Sequence, residues 1–473
     1  MRVGRGDDGT VQTTQRGPVL AVLTAGVVVA GLLGGCSSTP RAGAPSSTVA
    51  GPAPTLAAGD WPTYHHDGAR TGVDPAAPPF ASPARRWSTQ VDGDVYAEPL
   101  TVGDRVVVAT ERDTVVAVQA GTGRVQWTTT LGQPVPGGDL PCGNIDPSGI
   151  TGTPVVDTAA GTVWVVAFVR PGQHVLAALD LATGGVRTRK VIDPPGSDPR
   201  VEQQRGALAL SAGRVYVPFG GLFGDCGDYH GYVVGVDTRT PNDPPLVYQV
   251  PSQRQGAVWA PGGAAVAPDG TLLVATGNGS STTAYDGGNS VLRLSPDLRT
   301  LDSFTPTDAP RLNATDTDLG STAPLQVGGG LVFEVGKAGV GYLLRADHLG
   351  GVGGQAFSAQ VCSSVLGATS FSAPLVVVPC EDGLVALRLD SGARPGFGVA
   401  WRDSTLSAGP AIVADGTVWA MDRAGGDVVA LDLATGAVRA RVHVGGSNHF
   451  ATPGSGGGQL YVVAGGRLVA LAE

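Results

Sequence analysis

Short Val-rich runs recur down the chain, each closed by Gly, Asp or Asn: Arg105-Val106-Val107-Val108-Ala109, Thr162-Val163-Trp164-Val165-Val166, Arg214-Val215-Tyr216-Val217, Thr271-Leu272-Leu273-Val274, Leu331-Val332-Phe333, Thr417-Val418-Trp419 and Gln459-Leu460-Tyr461-Val462-Val463. β-Branched runs of this length between turn formers predict strands. A turn signature follows in several places: Ala120-Gly121-Thr122-Gly123, Leu179-Asp180-Leu181-Ala182-Thr183-Gly184, Leu389-Asp390-Ser391-Gly392 and Leu431-Asp432-Leu433-Ala434-Thr435-Gly436. There the Asp carboxylate can accept from nearby backbone amides while the Gly takes a positive φ. A further strand then begins, carrying Trp127 in one repeat and Trp401 in another. One four-stranded unit made many times is the simplest reading.

The first strand of each unit is marked by a small residue, Pro and apolar alternation at Glu98-Pro99-Leu100, Thr153-Pro154-Val155, Ala323-Pro324-Leu325, Ala373-Pro374-Leu375, Gly409-Pro410-Ala411 and Thr452-Pro453-Gly454. Degenerate copies at Gly206-Ala207-Leu208-Ala209 and Gly263-Ala264-Ala265-Val266 bring the count to eight starts, at a period of about 50 residues, in the range of propeller blades. Pro suits the innermost strand, whose channel-facing edge can lose a ladder donor. The last repeat supplies three strands and stops at Glu473. The segment Arg85-Arg86-Trp87-Ser88-Thr89-Gln90-Val91, ahead of the first repeat, has the character of the missing fourth strand and is expected to close the ring, removing a free edge. The fold class is therefore all-β, an eight-bladed β-propeller over residues 59–473 with an N-terminal strand completing the last blade.

Composition agrees: Gly numbers 73 and charged residues make up 15% of 473, and the repeat overrides the length prior of about three domains. Net charge is −9, and the lysines are Lys190 and Lys337 alone, so no basic patch exists to neutralise a phosphate backbone and nucleic acid is excluded as a partner. Residues 1–36 carry Arg2, Arg5 and Arg16, an apolar stretch from Val19 to Leu33, and Leu33-Gly34-Gly35-Cys36. That is the layout of an export signal. Its end resembles a bacterial lipobox, which would make Cys36 a lipidated mature N-terminus on the extracytoplasmic face of the cell membrane; a plain secretory signal with a chance Cys is the alternative. Residues 37–58, rich in Ser, Thr, Pro, Ala and Gly, read as a disordered tether. Beyond Cys36 stand Cys142, Cys226, Cys362 and Cys380, an even count in an exported chain, where disulfides are permitted. Cys362 and Cys380 flank one strand and are expected near each other, whereas Cys142 and Cys226 fall in loops of adjacent repeats; four free thiols is the other reading.

The Asp-x-x-Thr-Gly-x-Val-x-Trp turns resemble the pyrroloquinoline quinone (PQQ) repeat superfamily from about Trp61 to Glu473, and Trp61-Pro62-Thr63-Tyr64-His65-His66-Asp67-Gly68-Ala69-Arg70-Thr71-Gly72 is similar to the lead-in of its members. The superfamily holds quinoprotein dehydrogenases and non-catalytic lipoproteins such as BamB-type assembly factors, so the fold does not choose between them. The dehydrogenase branch implies a site. Thr276-Gly277-Asn278, followed by Asn289-Ser290-Val291, resembles the segment whose amide oxygen binds the metal, and Thr315-Asp316-Thr317-Asp318 resembles the one that supplies the base (Asp316) and another metal oxygen (Asp318). Asp225 or Asp228 would replace the metal-binding Glu, and Lys337 would contact the quinone oxygens. The ion, calcium or a lanthanide, would polarise a quinone carbonyl while Asp316 takes the alcohol proton. Two departures stand out: no Trp precedes Asp316, and Cys142 lacks the adjacent Cys of that branch. Asn278, Asp228, Asp316 and Asp318 are also ordinary turn formers, Lys337 an ordinary blade residue, and His65 and His66 packing or surface groups of the lead-in. The expectation is a monomeric, membrane-tethered binding or scaffold propeller gripping a protein, glycan or small ligand. The alternative is a PQQ- and metal-dependent alcohol or sugar dehydrogenase, and a BamB role in outer-membrane assembly is a third, narrower option.

Overall fold

In the computed structural model, which describes residues 56–473, the strands group into eight sheets arranged by sequence as blades 1 to 8: 100–130, 155–191, 209–249, 265–305, 325–360, 370–403, 408–443 and 454–472 with 84–90. The signal-like segment with Cys36 and nearly all of the tether lie outside the described residues. Within a blade the second and third strands are sandwiched between neighbouring blades, which is why they read as continuous apolar runs; Thr162–Val169 is buried at every position. The outermost strands have one wet face and alternate, as in Val186–Val191 and Val438–His443.

Ring closure follows the expected strand. Ala84–Gln90 pairs antiparallel with the last strand, from Ala84 opposite Ala472 to Gln90 opposite Arg467. At three junctions, blades 8 to 1, 1 to 2 and 6 to 7, the turn signature then locks one blade to the next. Asp180 Oδ1 accepts the backbone N–H groups of Ala182 (3.0 Å) and Thr183 (2.8 Å), and Gly184 adopts φ +72°. Trp127 of the preceding blade lays its indole on that Gly and donates Nε1–H to Leu181 O at 3.0 Å. Trp87 does the same to Ala120 O (2.8 Å) and Trp401 to Leu433 O (2.8 Å). A Cβ on Gly123, Gly184 or Gly436 would lie 2.4, 2.6 and 2.6 Å from the docked ring. Only glycine fits there.

The lead-in does more than precede the ring. Between Trp61 and Asp74 it touches the inner side of every blade: Trp61 O accepts from Thr101 N, Pro62 O from Val156 N, Gly68 O from Val266 N, Ala69 O from Gln326 N, Thr71 O from Phe371 N and Gly72 O from Val413 N. Arg70 donates to Leu208 O (3.0 Å) and Ala264 O (3.1 Å), and Asp74 accepts from Ser455 Oγ (2.6 Å). The channel-facing edges expected to stand free are thus largely taken up by this plug. His65 is fully buried and stacked on Tyr64 at 4.6 Å, the packing role expected of it.

One boundary differs from expectation. Ala373-Pro374 does not open blade 6; it is the turn between Ser370–Ser372, the innermost strand, and Leu375–Cys380. A Pro in that hairpin turn and a Pro leading an inner strand look alike in sequence, because neither needs an N–H donor. The four cysteines form two disulfides, Cys142–Cys226 and Cys362–Cys380, which fits an oxidising, extracytoplasmic compartment. The first ties the loop before blade 2 to a loop of blade 3; the second ties the loop before blade 6 to that blade's second strand.

Candidate functional site at the channel mouth

In an antiparallel blade, the loop between the second and third strands and the loop leading into the next blade emerge at the same end of the ring. Asn278 lies in the first kind of loop of blade 4 and Lys337 in that of blade 5, while Asp316 and Asp318 lie in the connection between them. That connection begins with one helical turn, Ala309–Ala314, and ends in the tight turn Leu319–Ser321. It is pinned by Asn289, whose side chain is fully buried: Oδ1 accepts Leu319 N–H (2.6 Å), and Nδ2 donates to Asn278 Oδ1 (3.0 Å) and Asn313 Oδ1 (2.8 Å).

The result is a compact polar group. Asp318 Oδ1 accepts the backbone N–H of Asn278 at 2.7 Å, and its Oδ2 lies 2.6 Å from Lys337 Nζ. Asp316 Oδ1 accepts from Asn278 Nδ2 at 2.7 Å and from Lys337 Nζ at 3.3 Å. Asp316 is the exposed member, in a left-handed backbone conformation (φ +50°), and Asp318 the buried one. Burial pushes the Asp318 carboxyl up, against the pull of Lys337 and the Asn278 N–H. Burial also pulls on Lys337, but Asp318 and Asp316 outweigh it and hold the ammonium above its usual range. Beneath the group, Trp259 has its ring 5.7 Å from Lys337 Nζ and meets Phe450 from across the mouth, ring centroids 6.3 Å apart. Phe450 adopts φ +71°, a left-handed conformation costly for a bulky residue.

Asn278, Asp316, Asp318 and Lys337 are therefore brought together. Asp228 is not: its carboxylate is 82% exposed and its ion-pair partner is Arg254, at 4.0 Å. Asp225 accepts the Tyr229 hydroxyl at 2.6 Å. Among the described residues, the one set of three His, Cys, Asp or Glu side chains close enough to share an ion is the Cys362–Cys380 disulfide with Asp382, whose sulfurs are already bonded to each other. The sequence reading did not single out Trp259, Asn313 and Phe450. A large aromatic in Gly256-Ala257-Val258-Trp259, between an outermost and an innermost strand, was the available signal.

Residues 81–272 match the family model described as outer membrane protein assembly factor BamB. In shape the chain is similar to the quinohemoprotein alcohol dehydrogenase of Comamonas testosteroni (TM-score 0.70, 18% identity, 87% of this chain and 80% of that one). The chain is an eight-bladed β-propeller, and its family match covers residues 81–272. The ring is also similar to a europium-containing methanol dehydrogenase (TM-score 0.69, 13% identity, 88% and 98% of the two chains) and to BamB of Moraxella catarrhalis (0.57, 15%, 83% and 98%). At these identities the likeness shows the fold alone. No curated protein matches the chain in sequence.

The group that the dehydrogenase branch would imply does not fit this mouth. A metal needs free oxygens, yet Asn278 Oδ1 faces an amide donor, Asp318 spends one oxygen on a backbone N–H and the other on Lys337, and Asp225 is held by Tyr229. Lys337, the residue that would meet the quinone, is already shared by two carboxylates. Trp259 has its aromatic partner in Phe450, and Cys142 is spent on Cys226 rather than on a neighbour.

Proposed function

We propose that the protein is an extracytoplasmic, lipid-anchored binding or scaffold propeller whose mouth loops grip a partner, and that it is not a quinone enzyme. The observation that carries this reading is the closure of most of the Asn278–Asp316–Asp318–Lys337 network on itself: Asn278 Oδ1, both Asp318 oxygens, Asp316 Oδ1 and Lys337 Nζ already have partners within the chain, leaving Asp316 Oδ2 as its one free carboxylate oxygen. Export is supported by the disulfides, and the anchor by the lipobox-like Leu33-Gly34-Gly35-Cys36. One observation favours the other reading, a PQQ- and metal-dependent alcohol or sugar dehydrogenase: the four residues gather at one mouth instead of scattering as turn formers.

Purified protein mixed with PQQ and calcium or a lanthanide, then desalted, separates the two. The expected result is no retained quinone absorbance and no dye-linked alcohol oxidation. Stoichiometric retention that disappears in the Asn278→Ala/Lys337→Ala double variant would overturn the proposal. For the anchor, Cys36→Ser is expected to move the protein out of the membrane fraction; a variant still held in the membrane refutes lipidation at that residue.

A further inference from the structure

Among the described residues ten large apolar side chains stand exposed. Eight are aliphatic and lie on outer strands of the blades or on the short strand beside one, whereas the two aromatic ones, Phe223 (64% exposed) and Tyr285 (49%), stand on mouth loops of blades 3 and 4. Those loops are fixed. The Cys142–Cys226 disulfide fastens the Phe223 loop. Between the two loops runs the segment 250–256, which bonds both: Gln255 N–H donates to Tyr229 O (2.7 Å), Arg254 Nη2 to Gly227 O (2.9 Å), Gly256 N–H to Asn278 O (2.7 Å) and Ser252 Oγ to Asp286 Oδ2 (3.0 Å). Phe223 and Tyr285 are thus held toward water on one crest, with apolar surface that a partner would bury.

Charge decides what kind of partner fits. The mouth loops, those between second and third strands and those joining one blade to the next, carry eighteen Asp and Glu against eight Lys and Arg, while the rest of the described chain carries twenty against nineteen. Four of the eighteen, Glu98, Glu111, Asp113 and Glu202, are pushed toward their neutral forms by burial, and the acidic excess survives without them. At the opposite end of the ring, turn carboxylates are paired within their own blade, as Asp180 is with Arg187 and Asp432 with Arg439. On the crest Asp228 is 82% exposed, and Arg254, 4.0 Å away, already donates to Asp225 O and Gly227 O.

We propose that the crest of blades 3 and 4 docks an arginine-rich segment of another protein, its guanidinium groups lying on Phe223 and Tyr285 and pairing with Asp228. A guanidinium combines a planar face that stacks on an aromatic ring with a fork of donors that matches a carboxylate, so one residue type satisfies both features of the crest. This names the partner that the scaffold reading leaves open, and it rests on that reading.

The test is fluorescence anisotropy, at low ionic strength, of a labelled nonapeptide in which Arg alternates with Gly, titrated with the full chain beside the same peptide carrying Lys or Gln in place of Arg. The Arg peptide is expected to bind, the Lys peptide to bind more weakly and the Gln peptide not at all. Phe223→Ala/Tyr285→Ala, which leaves every charge in place, should weaken binding about tenfold, the scale of two exposed cation–π contacts. Asp228→Asn should weaken it about twofold to threefold, whereas Asp390→Asn, at an exposed turn of the opposite end, should leave it unchanged. No binding of the Arg peptide, equal binding of the Arg and Gln peptides, undiminished binding by the aromatic double variant, or a loss in Asp390→Asn as large as in Asp228→Asn overturns the proposal. Should a variant fail to fold, hydrogen exchange of the wild-type chain with the Arg peptide decides: slowing in 222–231 and 276–290 supports the crest, and slowing confined to other segments overturns it. A parallel desalting with PQQ and calcium keeps the two readings apart, since retained quinone refutes the scaffold reading, while absent peptide binding without retained quinone refutes this docking surface alone.

Discussion

Trp87→Ala tests the closure of the ring at its weakest covalent point, where the eighth blade is built from both ends of the propeller. The Trp87 indole, half-buried, lies on Gly123 of blade 1, meets Tyr461 of blade 8 at 5.9 Å and donates to Ala120 O at 2.8 Å. Taking roughly half of the 150–250 Å2 that a large aromatic buries, at about 25 cal/mol per Å2, gives about 2.5 kcal/mol. The lost hydrogen bond adds about 1 kcal/mol. Spread over the roughly 420 residues of the propeller, about 3.5 kcal/mol corresponds to a fall of about 4 °C in melting temperature. Trp127→Ala is the control, since Trp127 makes the same contact between blades 1 and 2, which are joined by continuous chain. Melting followed by near-ultraviolet circular dichroism should give comparable losses for the two variants. A shift of under about 1 °C for Trp87→Ala, beside a full loss for Trp127→Ala, would mean that the N-terminal strand does not carry the closure.

Two further predictions concern glycine and a buried acid. Gly184→Ala should cost roughly 2–4 kcal/mol, from a positive φ and overpacking against Trp127, whereas Gly161→Ala, at φ +57° with nothing within 4 Å of its Cβ, should pay only the backbone part; equal denaturant midpoints for the two would refute the contact. Asp113 has both carboxylate oxygens sealed and unpartnered, and burial, with Glu111 beside it, pushes it up to about 8. Its folded value lies above its unfolded one, so its contribution to stability is complete below about pH 4, declines as pH rises toward about 8 and is gone above, at up to about 1.4 kcal/mol per pH unit for one proton. Asp113→Asn should flatten that part of the curve of urea midpoint against pH, and a curve parallel to wild type would refute the assignment.

The number of blades, the strand that closes the ring and the Asp–Gly turns were legible in the sequence, because each rests on local chemistry, alternation between strands and Asp and Gly at a turn; that Trp87, Trp127 and Trp401 dock on the turn of the following blade was shown only by the structure. The blade 6 boundary was misread for the same reason, since the residues around Ala373-Pro374 satisfy two local patterns at once and only the pairing of Ser370–Ser372 with Leu375–Cys380 separates them. What the lead-in does was decided by the tertiary structure alone. Its carbonyls meet inner edges that become neighbours only when the ring is shut. The mouth follows the same logic. Asn278, Asp316, Asp318 and Lys337 were picked out one by one, but whether they stand ready for a ligand or satisfy each other depends on where loops of two blades end, and that is set by Asn289, by the left-handed backbone at Asp316 and by the spacing of the blades. Trp259 and Phe450 lie far apart in the chain and adjoin because a ring of this size brings opposite loops to one axis. Local periodicity specifies the unit; the distance across the closed ring decides which side chains meet, and with them which chemistry the mouth can offer.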